Sequence, residues 1–346
     1  MKKIFLFIIL SVLFLPGIGQ MRYFYGSLSG ASEVPPNAST AGGIVLLKLN
    51  TVSNAVELHG NYSGLSATIS ASHIHLAAAG ANGPVVLNLA NTGGINGNLS
   101  GSGTLSDPQE SELLAGNMYV NVHTSSFPGG EIRAQLMPVA DGDGLMLNTR
   151  LQGAQEVPPN QSAGSGEANL LLERSTNKIY VTGNFANLTT NISAAHIHVG
   201  GANRNGGVII GLSFPPGVTS GTLHATGTLT DVFEDSLVNG RTYINVHSTT
   251  YPGGELRGQL TSYSQQQFLG GRLSGANEVP GNSSTARGSV IVRYNTMTNE
   301  LVLNGNYEGL TAAISASHIH SGAAGSNGPV VVNISNTGGT FGVLNA

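Results

Sequence analysis

Residues 118–136, Met-Tyr-Val-Asn-Val-His-Thr-Ser-Ser-Phe-Pro-Gly-Gly-Glu-Ile-Arg-Ala-Gln-Leu, read as two antiparallel strands joined by a turn at Ser125–Gly130. Successive strand residues point to opposite faces, so Met118, Val120 and Val122 share one face. Tyr119, Asn121 and His123 share the other. Gly129 and Gly130 supply the turn. The same pattern returns as Tyr243-Ile-Asn245-Val-His247 and Tyr251-Pro-Gly-Gly-Glu255-Leu-Arg257, so the hairpin belongs to a repeat.

Two further motifs fix the period. Leu28-Ser-Gly-Ala-Ser-Glu33-Val-Pro35 recurs as Leu151-Gln-Gly-Ala-Gln-Glu156-Val-Pro158 and Leu273-Ser-Gly-Ala-Asn-Glu278-Val-Pro280. His73-Ile-His75 recurs as His196-Ile-His198 and His318-Ile-His320. Both step by 123 and then 122 residues, a length suited to an autonomous domain and too long for a solenoid unit. The spacing divides the chain into a leader over 1–20, complete copies over 21–140 and 145–262, and a truncated copy over 268–346. The joins, near 138–146 and 261–268, are short, which predicts that neighbouring copies sit close together. The third copy stops level with Gly101 of the first and lacks counterparts of His123, Glu131 and Arg133. A domain cut there exposes a strand edge and apolar core, so the expectation is a fragment of a longer protein or completion by another chain.

Within a copy, Gly43–Asn50 and Ala55–Tyr62 flank Thr51-Val-Ser-Asn54 as a second hairpin. The predicted fold is all-β: seven or eight short antiparallel strands per copy, packed as a sandwich or flattened barrel of immunoglobulin-like or Cu/Zn superoxide dismutase-like kind. Helix is expected only as one turn at Ser111–Ala115. Glu33-Val-Pro-Pro36 reads as a strand end and turn, and Asn82-Gly83-Pro84 as a tight loop after the His-Ile-His strand.

Lys2 and Lys3 followed by the apolar run Ile4–Leu15 and the small residues Pro16–Gly19 have the pattern of an export signal. That run is shorter than the roughly 20 residues a spanning helix needs, and no other segment is apolar enough, so the mature chain is expected without a membrane span. The chain has no cysteine, which excludes disulfides and zinc–thiolate sites. Charged residues are 9% with a formal net charge of -4, and no basic stripe exists for nucleic acid. A hydrophobic content of 40% argues for folded domains over disorder. Secretion, to the extracellular space or the periplasm, is the expected location.

His73 and His75 share one strand face, and His123 lies on the outward face of its own strand. If the two strands are neighbours, three imidazoles converge, a donor set suited to copper or zinc. The second copy repeats the set as His196, His198 and His247; the third keeps only His318 and His320. A second reading needs no metal: Glu131 and Arg133, repeated as Glu255 and Arg257, fall on the same face and would form a salt-bridged network with the histidines. With a metal present, these four become candidates for the layer supporting its ligands. His59 and His224 have no counterparts in the other copies and are given no role.

Taken together, His-Ile-His followed by Asn82-Gly-Pro-Val-Val86, then Tyr119-Val-Asn-Val-His-Thr124 and Phe127-Pro-Gly-Gly-Glu-Ile-Arg133, resemble the chordin-type (CHRD) domain family across almost everything after residue 20. The family occurs in animal antagonists of growth factors and in many secreted microbial proteins. The second copy departs from it with Gly206-Gly207 where the first has Gly83-Pro84, and no cysteine-rich module accompanies the repeats. The histidine motifs are also distantly similar to Cu/Zn superoxide dismutase, where a His-x-His strand and a later Val-His strand contribute copper ligands.

No nucleophile–base–acid set, Walker loop, dinucleotide fingerprint or His-Glu-x-x-His helix is present, so a non-enzymatic reading is favoured over an enzymatic one. The leading expectation is an extracellular binding or scaffold module for a protein or surface partner, with tandem copies raising effective concentration. The alternative is a copper- or zinc-binding protein with one site per complete copy. A dismutase-like enzyme ranks below both, since it needs an electropositive approach and the net charge is -4.

Overall fold

The computed structural model describes residues 21–262, 266–295, 301–323 and 325–346; the expected leader at 1–20 and residues 263–265 of the second join lie outside them. The first copy runs β1 (Met21–Ser29), β2 (Gly42–Asn50), β3 (Ala55–Tyr62), β4 (Ile69–Leu76), β5 (Val85–Asn88), β6 (Ala90–Asn91), β7 (Gly97–Thr104), α1 (Asp107–Leu114), β8 (Met118–Thr124), β9 (Ile132–Gln135) and β10 (Met137–Pro138). All strands join one antiparallel sheet in the order β5-β4-β8-β9-β1-β2-β3-β7-β6, with β10 also on β1. The chain passes from one end of that order to the other through Leu89, whose N–H donates to Ser72 O at 2.9 Å. The sheet is thereby curled into a nearly closed barrel, so of the two expected packings the flattened barrel is adopted. Its ten strands exceed the seven or eight expected, because β6 and β10 are two-residue pairings too short to leave a sequence signal.

Alternation builds the core. Val120, Val122, Ile74, Ile132, Leu136, Phe24, Val45 and Leu99 all point into the barrel and are buried. The helix α1 is longer than the single turn expected. Ser106 and Gln109 form a reciprocal cap, Ser106 N donating to Gln109 Oε1 at 2.9 Å and Gln109 N to Ser106 Oγ at 3.4 Å. That start signal, Ser106-Asp-Pro-Gln109, lies upstream of the Ser111–Ala115 turn expected from the sequence.

The second copy repeats the design with β11 (Gly144–Gln152), β12 (Ser165–Glu173), β13 (Lys178–Ala186), β14 (Ile192–Val199), β15 (Val208–Gly211), β16 (Gly221–Thr228), α2 (Asp231–Val238), β17 (Thr242–Ser248), β18 (Leu256–Gln259) and β19 (Thr261–Ser262). Its sheet order is β15-β14-β17-β18-β11-β12-β13-β16. The two complete copies pack directly on each other, as the short join predicts. Ile44 and Leu46 on the outer face of β2, with Val139, meet Met146, Leu171 and Tyr180. The rings of Tyr25 and Tyr180 stack at 3.8 Å, and Asn61 Nδ2 donates across the joint to Leu223 O at 2.6 Å. Strands β2 and β12 are therefore buried on both faces, which is why Ile44–Leu47 and Leu170–Leu172 are unbroken apolar runs.

The third copy forms β20 (Gln266–Ser274), β21 (Arg287–Asn295), β22 (Leu301–Glu308), β23 (His318–His320), β24 (Val330–Asn333), β25 (Ser335–Asn336) and β26 (Gly342–Asn345). Five of these make the sheet β20-β21-β22-β26-β25, while β23 and β24 pair separately. Counterparts of β8 and β9 are what would join the two pieces. Ile291, Val331 and Phe341 stay exposed, at 62%, 56% and 73%.

Leu171 is wholly buried between the complete copies. Leu171→Ala is expected to cost about 2–5 kcal/mol, the usual penalty for truncating a buried leucine. Chemical denaturation should then resolve the coupled unfolding of the two copies into separate transitions.

Candidate metal centre

Strands β4 and β8 are adjacent, and their register sets His73 opposite Asn121, His75 opposite Tyr119 and Ala71 opposite His123. Ile74, between the two histidines, points into the core, so His73 and His75 both point outward. The ring centroids are 5.5 Å (His73–His75), 5.1 Å (His73–His123) and 6.1 Å (His75–His123) apart. One nitrogen from each lies within 4.8 Å of the others, and His196, His198 and His247 reproduce this. Among the described residues these are the two groups of three whose donor atoms lie close enough together to hold a metal ion.

Two backbone carbonyls decide which nitrogens are free. His75 Nδ1–H donates to Gly83 O at 2.9 Å, and His123 Nδ1–H donates to Pro128 O at 3.1 Å. A carbonyl only accepts, so both rings carry their proton on Nδ1 and present a bare Nε2. Those Nε2 atoms, and His73 Nδ1, are buried with no hydrogen-bond partner. In the second copy His198 and His247 donate to Gly206 O and Pro252 O, each at 3.0 Å, and His196 Nδ1 lies 3.3 Å from His247 Nε2. Orphaned nitrogen lone pairs aimed at one another are costly in an empty protein and are what a cation uses.

Burial, followed by the neighbouring imidazoles, pushes the pKa of His73 below the ordinary histidine value. Burial does the same at His123, His198 and His247, outweighing the carbonyls that favour the charged form, and it lowers His196. Burial thus biases these five imidazoles toward the neutral form, the one that ligates metal.

Glu131 and Arg133 do not form the expected network with the histidines. Burial alone would push the Glu131 carboxyl up, yet hydroxyl and amide donors hold it below the usual range. Ser39 Oγ and Ser66 N donate to Oε1 at 2.8 and 2.7 Å, and Ser66 Oγ and Thr124 Oγ1 to Oε2 at 2.9 and 2.7 Å. Glu255 is held likewise by Ser162 Oγ, Thr189 N and Thr189 Oγ1. These carboxylates staple loops to the barrel and touch no histidine.

Arg133 acts through an intermediary. Its guanidinium lies 3.3 Å over the Tyr119 ring, and the Tyr119 and His75 rings stack at 4.9 Å with 10° between planes. The same guanidinium donates to Asn82 Oδ1 at 3.1 Å and Ala81 O at 2.8 Å, fixing the loop whose Gly83 carbonyl orients His75. Arg257, Tyr243, Asn205 and His198 repeat the stack and the loop contact. Since the carbonyl of residue 83 or 206 does the orienting, replacement of Pro84 by Gly207 leaves the arrangement intact. The sequence places Tyr119 on the face of His123 and Asn82 in the loop after the His-Ile-His strand without giving either a supporting role, although their recurrence as Tyr243 and Asn205 is a signal for one. His59 pairs with Glu57 at 2.6 Å, away from the trio.

A family model described as the CHRD domain matches residues 24–136, 147–260 and 270–344. No curated protein matches the chain.

Two outcomes follow for the metal-free protein. Imidazole resonances of His73, His123, His196, His198 and His247 should titrate below 6.5, the ordinary histidine value, when followed by NMR. Their contribution to stability is therefore full above about 6.5 and is lost as the pH falls. Arg133→Lys, which removes the planar fork and its stacking, should raise amide exchange at Gly83 by about tenfold or more without unfolding the barrel.

Proposed function

The chain belongs to the CHRD domain family, and on that premise we propose that it is an extracellular scaffold whose two complete copies each bind one copper or zinc ion. The observation that carries the metal reading is the trio of orphaned nitrogens, His73 Nδ1 with Nε2 of His75 and His123, the latter two on rings whose Nδ1 is fixed by a backbone carbonyl. Three neutral imidazoles suit copper and zinc and leave a coordination position open. The repetition of the set in the second copy supports a selected site over a chance cluster. Secretion is supported by the composition of residues 1–20 and by the extracellular character of CHRD proteins. Among the described residues no helix is long and apolar enough to cross a membrane.

The scaffold reading rests on the joint between the copies. A face of six buried apolar residues makes the complete copies one body that displays two similar surfaces toward a protein or surface partner.

Titration of copper and of zinc into the full chain, followed by calorimetry, tests the metal reading. Two ions per chain are expected, since the third copy lacks the strand that supplies the third histidine. His123→Ala and His247→Ala should each remove one ion, with an affinity loss beyond the roughly 10–100-fold that follows loss of a supporting partner. Binding indifferent to both substitutions would leave the scaffold reading alone.

A further inference from the structure

Glu33 and Glu156 are buried ionisable groups that the histidine centre leaves unused. Each opens a Glu-Val-Pro segment and is only 5% exposed. Asn121 Nδ2 faces Glu33 Oε2 at 3.5 Å. The remaining oxygens of the pair, Glu33 Oε1 and Asn121 Oδ1, are buried with no partner, and Glu156 Oε1 and Asn245 Oδ1 are orphaned in the same way. Both atoms border one small space at Gly130, where a Cβ would stand 2.5 Å from Asn121 Oδ1 and 2.6 Å from Glu33 Oε1. Gly254 has the same relation to Asn245 and Glu156. Two acceptor oxygens enclosed together repel unless a hydrogen lies between them.

The charged neighbours point the same way. From β9, Arg133 is the cation that acts on Glu33 through space. An ionised carboxylate beside a guanidinium ordinarily draws it into a short pair. Among the described residues no ion pair joins them, and the guanidinium spends its donors on Asn82 and Ala81. From β8, Tyr119 and His123 lie two residues to either side of Asn121, and from β4, His73 lies opposite it; none of the three is a hydrogen-bond partner of Glu33.

We propose that Glu33 and Glu156 are held as neutral carboxylic acids that donate their proton to the side-chain carbonyls of Asn121 and Asn245, forming a pH-sensitive latch between the Glu-Val-Pro segment and the sheet. Burial is the main cause and pushes both carboxyls up to about 7, against the opposing influence of Arg133 and Arg257. The third copy supplies a comparison within the molecule. Glu278 follows the same short helical turn, but with no counterpart of β8 or β9 it is exposed. The latch therefore comes from the hairpin laid over the segment and not from the segment alone.

A folded-state proton that the unfolded chain gives up earlier stabilises the latch at acidic pH, and that contribution is lost as the pH rises through about 7. The segment also carries Val34 O, which accepts from Asn82 Nδ2 at 2.9 Å. Asn82 belongs to the loop that orients His75, so opening the latch loosens the support of one imidazole.

The test is a pH titration of the full chain with 13C-labelled glutamate carboxyls, assigned with Glu33→Gln and Glu156→Gln. Glu33 and Glu156 are expected to titrate near pH 7, while Glu131 and Glu255 titrate below the usual carboxylate range. The Gln variants place an amide N–H where the acid proton sits, so they should match the wild type in thermal stability at pH 5, where Glu33→Ala falls well below it. Titration of Glu33 and Glu156 alongside Glu131 and Glu255, which is what a carboxylate bridged by water or a cation would show, overturns the proposal. So does a Glu33→Gln variant as unstable at pH 5 as Glu33→Ala.

Discussion

The barrel depends on one pair of strands. β8 and β9 lie between β4 and β1, and nothing else in the sheet order joins the histidine strand to the first hairpin. They place Val120, Val122 and Ile132 in the core and, on the opposite face, the third imidazole, the stacked tyrosine and the arginine. The third copy shows the same sequence without them: β23 and β24 separate from the main sheet and apolar side chains face outward. Closure and site assembly are thus one event, because both are consequences of the same hairpin.

The outer face of that hairpin is unusual in being almost as dry as the inner one. Asn121, Glu131 and Arg133 are 2% exposed or less, covered by the Glu-Val-Pro segment and the loop at 77–83. Buried polar groups of this kind are tolerated when their bonds are satisfied. Glu131 meets that condition through hydroxyls and an amide, and Arg133 through carbonyls and a ring face. His73 Nδ1 and the Nε2 atoms of His75 and His123 do not meet it, and their rings are gathered at one point. The orphaned nitrogens of His73, His75 and His123 are what the proposed metal site rests on, and the orphaned Glu33 and Asn121 oxygens beside them are what the proposed latch rests on.

Much of this was legible in the chain. Period-two alternation gives the hairpin and its faces, because strand geometry maps sequence onto faces with little freedom; the convergence of His73, His75 and His123 needs in addition that β4 and β8 be neighbours, which only the structure supplies. The fate of Glu131 and Arg133 was not legible, since both lie on the correct face yet find partners 39, 66 and 82 residues into the chain, on loops whose position only closure determines. Glu33 was read as a turn residue for the same reason: burial comes from strands about 90 residues later. The joint between copies was signalled by the apolar run at Ile44–Leu47, but a strand covered on both sides and a strand at the heart of one barrel look alike in sequence.

The stacked tyrosines and the apolar contact between the first two copies fix more than adjacency. Two domains on a loose tether sample many separations, so a bivalent target pays for ordering them when it binds. Copies docked face to face have met that cost during folding. On the scaffold reading proposed above, they would offer a ruler of set length and angle, matched to targets of one spacing and closed to others.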